Sequence, residues 1–236
     1  MKRYLALILV LIFVSSCAEL QHAIDNSTSD NGTTVSNSDI ALGLRQALDM
    51  GIERQVTQLT QTNGFYGNDL VRIGLPRELT KIERTLRDIG LNDLADKGII
   101  ALNRAAEDAV KEAIPIFTSA VQDINFNQAK ALLMGKDDAA TTYLKLSTET
   151  ELYNQFHPII EDAFADVGAN ELWTQIINRY NALPMTQSVN PDLTDYVTQE
   201  ALNGVFTMIA VEEQHIRQQL DARTTAVLRQ VFALQD

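Results

Sequence analysis

Residues 193–211 read LTDYVTQEALNGVFTMIAV, and this stretch decides the fold. A helix at the surface of a globular protein carries one apolar stripe and a polar back. Here the apolar residues occupy most faces, above all in 201–211. That is the pattern of a helix buried at the centre of a helical domain, and the stretches on either side agree with it. Toward the N-terminus, Ile40, Leu44, Leu48, Ile52, Val56 and Leu59 recur at i+4 and i+3 spacing, one stripe of an amphipathic helix. Asn37, Ser38 or Asp39 can cap its start, and Thr62-Asn63-Gly64 ends it, with Gly64 suited to a left-handed stop.

A loop with apolar anchors follows at 65–76 (Phe65, Tyr66, Leu70, Val71, Ile73 and Leu75). Helices are expected near 78–89 and 93–124, the second alanine-rich and kinked or divided by Pro115. Asn125 with Gln128 predicts a capping box opening a short helix that Gly135 stops, and Asp137 can cap the next. Thr148 and Glu151 form a further box-like pair ahead of Leu152, Phe156, Ile159, Ile160, Ala163 and Phe164. Leu172, Trp173, Ile176, Ile177 and Tyr180 make another stripe. Asp221 can cap a last helix with Val227, Leu228, Val231 and Phe232 inward. Turn-bounded β-branched alternation is absent. The expected fold is all-α, a single multi-helix globular domain of about eight to ten helices over residues 39–236. Pro115 and Pro158 also begin an echo at an offset of 43 residues (Ile116/Ile159, Ala120/Ala163, Asp123/Asp166, Asn127/Asn170), which reads either as an old duplication or as chance in a helical chain.

The N-terminus carries a different kind of signal. Met1-Lys2-Arg3-Tyr4 is a short basic region, and Leu5 to Val14 is unbroken apolar sequence, the length of a signal core and half that of a spanning helix. Val14-Ser15-Ser16-Cys17 follows, resembling the bacterial lipobox, in which the cysteine sulfur is acylated and the chain is cut before it. On this reading 1–16 is a lipoprotein signal peptide and 17–38 a lipidated N-terminus and flexible linker. The competing reading is an ordinary signal peptide with an incidental cysteine. Cys17 is the chain's one cysteine, so no intramolecular disulfide and no cysteine-based zinc site can form. Two or three acyl chains anchor stably where one does not. Ala18, in place of the aspartate that resembles an inner-membrane retention signal, favours the outer membrane, facing the periplasm. Residues 25–39 (DNSTSDNGTTVSNSD) hold one apolar side chain, Val35, and cannot bury enough surface to offset ordering. As coil, 18–38 would reach roughly 25 Å.

The formal charge is −12, and loss of Lys2 and Arg3 with the signal takes it to −14. Such a surface repels nucleic-acid phosphates and anionic headgroups, so no nucleic-acid partner is expected. At 45% hydrophobic residues the chain can bury a sizeable core.

Several strings occur in order: Asn103-Arg104-Ala105-Ala106-Glu107, Pro115-Ile116-Phe117, Gly135 with Asp138-Ala139-Ala140-Thr141-Thr142-Tyr143, Asp192-Leu193-Thr194-Asp195-Tyr196-Val197-Thr198, Ala201-Leu202-Asn203-Gly204-Val205-Phe206, Glu212-Glu213 with Ile216-Arg217, and Arg223-Thr224-Thr225. Together they resemble the DUF4197 family of bacterial envelope proteins, over about residues 40–234. The resemblance implies an envelope location and one helical domain and supplies no mechanism. Gly74 in Ile73-Gly74-Leu75-Pro76 and Leu144 after Tyr143 depart from the family's pattern and put loop shape in question more than function.

The chemistry-bearing residues are few. Glu212 and His215 form one Glu-x-x-His, half the ligand set of a di-iron bundle, and His157 with Glu161 could converge on it. The bland alternative is a solvated helix end in which Glu212 and Glu213 pair with Arg217 and with partners across the fold. Arg104 with Glu107 and Asp108 is either a local ion-pair set or a reader of an anionic group. Tyr143, Tyr180, Tyr196 and Trp173 could line a pocket or sit in the core. Arg104, Glu107, Tyr143, Tyr196, Glu212, Glu213 and Arg223 together make the candidate ligand-binding or structural polar cluster. No nucleophile motif and no Gly-rich phosphate loop occurs, and no cofactor is called for. The sequence favours a membrane-anchored, non-enzymatic binding or assembly module with an envelope protein as partner. The alternatives are a helical pocket for a small or lipidic ligand, and an enzyme without a recognisable motif.

Overall fold

A computed structural model describes residues 35–236 apart from 76–79, 81–83, 85–86, 89, 91, 166–169, 171–173, 176–177, 179–180, 183–187 and 189–191. The chain divides into Met1–Ser36 and a compact unit, Asn37–Asp236. Cys17 and the signal segment lie outside the described residues, as do Trp173 and Tyr180.

The unit is built from α1 (Asn37–Leu59), α2 (Asn92–Ala109), α3 (Ala113–Gln122), α4 (Phe126–Leu133), α5 (Ala139–Ala165), α6 (Leu193–Gln218) and α7 (Ala226–Phe232), with 3-10 turns at Val110–Glu112 and Leu220–Ala222. No strand occurs among the described residues, and the domain is a single helical one. Seven α-helices among these residues fall short of the eight to ten expected, and one reason lies at Thr148. Its hydroxyl donates to the Leu144 carbonyl at 2.7 Å inside an unbroken helix, so the pair Thr148/Glu151 caps nothing, and two expected helices are one, α5.

α6 is the centre. Leu193, Val197, Ala201, Leu202, Val205, Phe206, Ile209 and Ile216 are all buried, because α6 packs on α5 along one side and α1 along another, with α2 also in contact. The α1 stripe from Ile40 to Leu59 is buried throughout, and α1 also carries α3, α4 and α7. It begins at Asn37, inside the stretch expected as linker, so Asn37, Ser38 and Asp39 form its first turn, where the Asp39 charge suits the helix dipole.

At Pro115 the helix does divide. The 3-10 turn Val110–Glu112 precedes it and α3 opens at Ala113, so the proline sits in a first turn where its missing N–H costs little. Pro158 is instead inside continuous α5. The two prolines of the 43-residue echo therefore occupy different local structures, which weighs against a duplication; much of the second copy's end lies outside the described residues.

Several helix ends are solved differently from expectation. The Asn125/Gln128 capping box is present in both directions, and α4 stops just before Gly135. At the end of α1 it is Asn63, not Gly64, that takes the left-handed conformation (φ 66°). Gly64 is required for another reason: a Cβ there would stand 2.4 Å from the Leu59 carbonyl oxygen. Thr225, not Asp221, caps α7 by accepting from the Leu228 N–H. Asp137 accepts instead from the Gln218 amide at 3.0 Å. In the loop after α1, Phe65, Val71 and Ile73 are buried anchors, whereas Leu70 is 65% exposed.

Candidate functional site

The charged residues singled out in the sequence do not converge on one site. They fall into separate networks, each of which closes a helix end or pins a loop.

The first network ties the loop after α1 to α2. Asn103 is fully buried, and its amide accepts from the Ile73 N–H and donates to the Ile73 carbonyl, both at 2.8 Å, as a paired strand would. One turn on, Glu107 accepts the Phe65 N–H at 3.2 Å and pairs with Arg104, whose other arm donates to Asn63 Oδ1 at 2.7 Å. Asp108 takes Lys111 at 2.7 Å rather than Arg104. From α6, the Tyr196 hydroxyl donates to the Gly74 carbonyl at 2.7 Å. Phe65 then lies so close to Gly204 that a Cβ on that glycine would meet its ring edge at 2.6 Å. Arg104 is therefore engaged in holding loop geometry.

The second and third networks run along the last turns of α6. The expected solvated end is not what forms: Glu212, Glu213 and Arg217 are all buried. Glu212 binds Arg54 at 2.5 Å and the Gln55 amide at 2.8 Å, joining α6 to α1. Glu213 accepts the backbone N–H groups of Ala140 and Thr141 at 3.0 and 2.8 Å and the Thr141 hydroxyl at 2.7 Å, so a carboxylate remote in sequence caps the start of α5. Arg217 bonds Glu213 at 2.7 Å and donates to the Leu133 and Leu132 carbonyls at 2.7 and 2.9 Å, closing α4. Arg223, buried, does the same for α6 itself through the Ile216 and Arg217 carbonyls, and grips Asp236 with both arms at 2.7 and 2.9 Å. Negative charge thus meets a helix start and positive charge helix ends, the arrangement the backbone dipoles favour. The hydrogen bond from Arg223 holds the Asp236 carboxyl below the usual aspartate range.

His215 is exposed while Glu212 is spent on Arg54 and Gln55, so the Glu-x-x-His pair points two ways. Among the described residues no three histidine, cysteine, aspartate or glutamate side chains are grouped to hold a metal. Tyr143 is half-buried on α5, distant along the helix from Tyr196's partner Gly74.

The concave surface lies elsewhere. An enclosed void among Leu44, Leu48, Ile209 and Phe232 measures about 10 Å³, room for one water at most. Much larger open clefts follow the seam between α5 and α6, which run antiparallel, as Thr141–Glu213 at one end and Tyr153–Asp195 toward the other show. They measure about 340 Å³ beside Lys145 and Phe206, about 380 Å³ beside Glu149 and Tyr153, and about 320 Å³ beside His157 and Glu161. The Tyr153 hydroxyl donates to Asp195 at 2.8 Å, and burial with that bond pushes its pKa up to about 12. A tyrosine so held is a fixed donor and no base at neutral pH. His157 and Glu161 were visible in the sequence as an i, i+4 pair; Tyr153 and Asp195 were not, being joined across 42 residues with no local signal.

A one-domain helical protein whose buried charges all serve packing, with its concavity in an open interhelical seam, is the class these features define. The chain belongs to the DUF4197 family, described as a protein of unknown function, whose model matches residues 34–233. No curated protein and no solved structure matches it.

Proposed function

We propose that this protein is an envelope lipoprotein, held at the membrane by acyl chains on Cys17, whose helical domain is a non-enzymatic binding or assembly module. One observation carries the module reading: the side chains that might do chemistry are consumed in helix-closing networks, while the large concavities are open and run along α5 and α6. Small-molecule sites are mostly enclosed and apolar. The only enclosed apolar space among the clefts just described holds about 10 Å³, which speaks for a surface-bound partner over a pocket for a lipid. No helix among the described residues is long and apolar enough to cross a membrane, so attachment on this reading rests on Cys17. The pattern of 1–17, a basic start, an apolar core and Val14-Ser15-Ser16-Cys17, supports it, with the outer membrane as destination.

Two measurements test this. Cys17→Ser should abolish radiolabelled fatty-acid incorporation and shift the protein from the membrane fraction to an uncleaved or soluble form with its helix content intact. Membrane retention of that variant with the apolar core removed would refute lipidation at this site. Crosslinking in intact envelopes should recover a discrete protein partner; turnover of a substrate by the purified domain would overturn the non-enzymatic reading.

A further inference from the structure

The clefts on the seam of α5 and α6 are aligned, and their lining has a definite chemistry. On α5 the side chains of Lys145, Glu149, Tyr153, His157 and Glu161 recur every fourth residue, so they form one row along the helix. The facing row on α6 includes Asp192, Asp195, Gln199, Asn203 and Phe206. From Asp138 to Glu161 the α5 wall runs about 35 Å at 1.5 Å per residue. This is one long groove, the length of a helical segment of roughly 23 residues.

Its charge is one-sided. Carboxylates at Asp138, Glu149, Glu161, Asp192 and Asp195 line it, against the single cation Lys145. Lys145 is itself neutralised by Glu149 at 3.6 Å and lies over the Phe206 ring. Unlike the buried acids of α6, Glu161 and Asp138 are exposed. A second observation lies on the same wall. Leu146 occupies the register between Thr142 and Thr150, both of which line the groove, and it is 82% exposed, more than any other large apolar side chain among the described residues. A partner that covers Leu146 and meets the flanking carboxylates needs an apolar face bordered by positive charge.

We infer that the α5–α6 groove binds a cationic, amphipathic polypeptide segment of a partner protein. This deepens the binding-module reading and rests on it. The groove is polar and shallow, which suits a reversible contact whose rate of formation is set by charge.

The test uses the full mature chain and a dye-labelled 23-residue amphipathic lysine-rich peptide, read by fluorescence anisotropy at low and at physiological salt. Controls are the same peptide with glutamine or with glutamate for lysine. The lysine peptide should bind, the others should not, and binding should weaken with salt. Glu149→Lys with Glu161→Lys should weaken it by about tenfold or more. Leu146→Ser should weaken it in both salts, because its contact is apolar. Circular dichroism establishes that each variant keeps its helix content. Equal binding by the charge-reversed variant would remove the groove assignment and leave the module reading standing. No binding of the lysine peptide to the wild type, with a partner still captured by envelope crosslinking, would overturn the cationic-segment inference alone.

Discussion

Glu213 is the side chain on which most depends locally. It holds a buried guanidinium and two backbone N–H groups at the start of α5. Glu213→Ala leaves Arg217 charged and buried without its carboxylate, a change that costs about 3–5 kcal/mol in comparable pairs. Equilibrium denaturation should show that loss; a change under 1 kcal/mol, about the value of an exposed pair, would show that the network contributes little. Asp236 makes a separate, pH-dependent claim. Arg223 holds its carboxyl below the usual range, so the contact stabilises the fold fully above the ordinary aspartate pKa and is lost as pH falls through the lower folded value. Burial holds the Asp49 and Glu200 carboxyls above their usual range and acts in the opposite sense, so the informative quantity is the difference between wild type and Asp236→Asn. The variant should have a flatter acid limb below about pH 4. An identical limb would mean the contact adds no stability. Of these partners, the sequence revealed only Glu213–Arg217, because they are four residues apart on one helix.

At the level of elements, α5 runs unbroken through Pro158, which lacks an N–H for the ladder and sits at an exposed position. A proline inside a helix is about 3 kcal/mol less favourable than alanine. Pro158→Ala should therefore stabilise the domain, by up to that amount, in urea titration; destabilisation would mean that the proline shapes a bend the packing needs. Helix interiors were legible from sequence wherever a stripe repeated, as at Ile40 to Leu59 and Leu152 to Phe164. Helix ends were less so. Asn125/Gln128 is a local device and was readable. Thr148/Glu151 has the same spacing and caps nothing, because the residues before it continue the helix onto the core. The start of α5 is capped from α6, which no window of neighbouring residues contains.

For the whole molecule, the compact unit begins at Asn37 and all its helix-closing networks lie within it. Residues 37–236 expressed alone should fold with the helix content and Tm of the mature chain, measured by circular dichroism. A Tm lower by more than about 5 °C would show that residues before Asn37 contribute to the core.

The α-helical class, the central position of 193–211 and the apolar faces were determined by the sequence, since periodicity and hydrophobicity are properties of neighbouring residues. That stretch is indeed the axis of the fold, extended to Gln218 by a turn of buried charge that hydropathy alone reads as solvated. Only the tertiary structure decided what those charges do, and where the groove lies. A buried carboxylate is tolerated where its hydrogen-bond partners are, and those partners arrive from helices about 70 to 160 residues away in the chain.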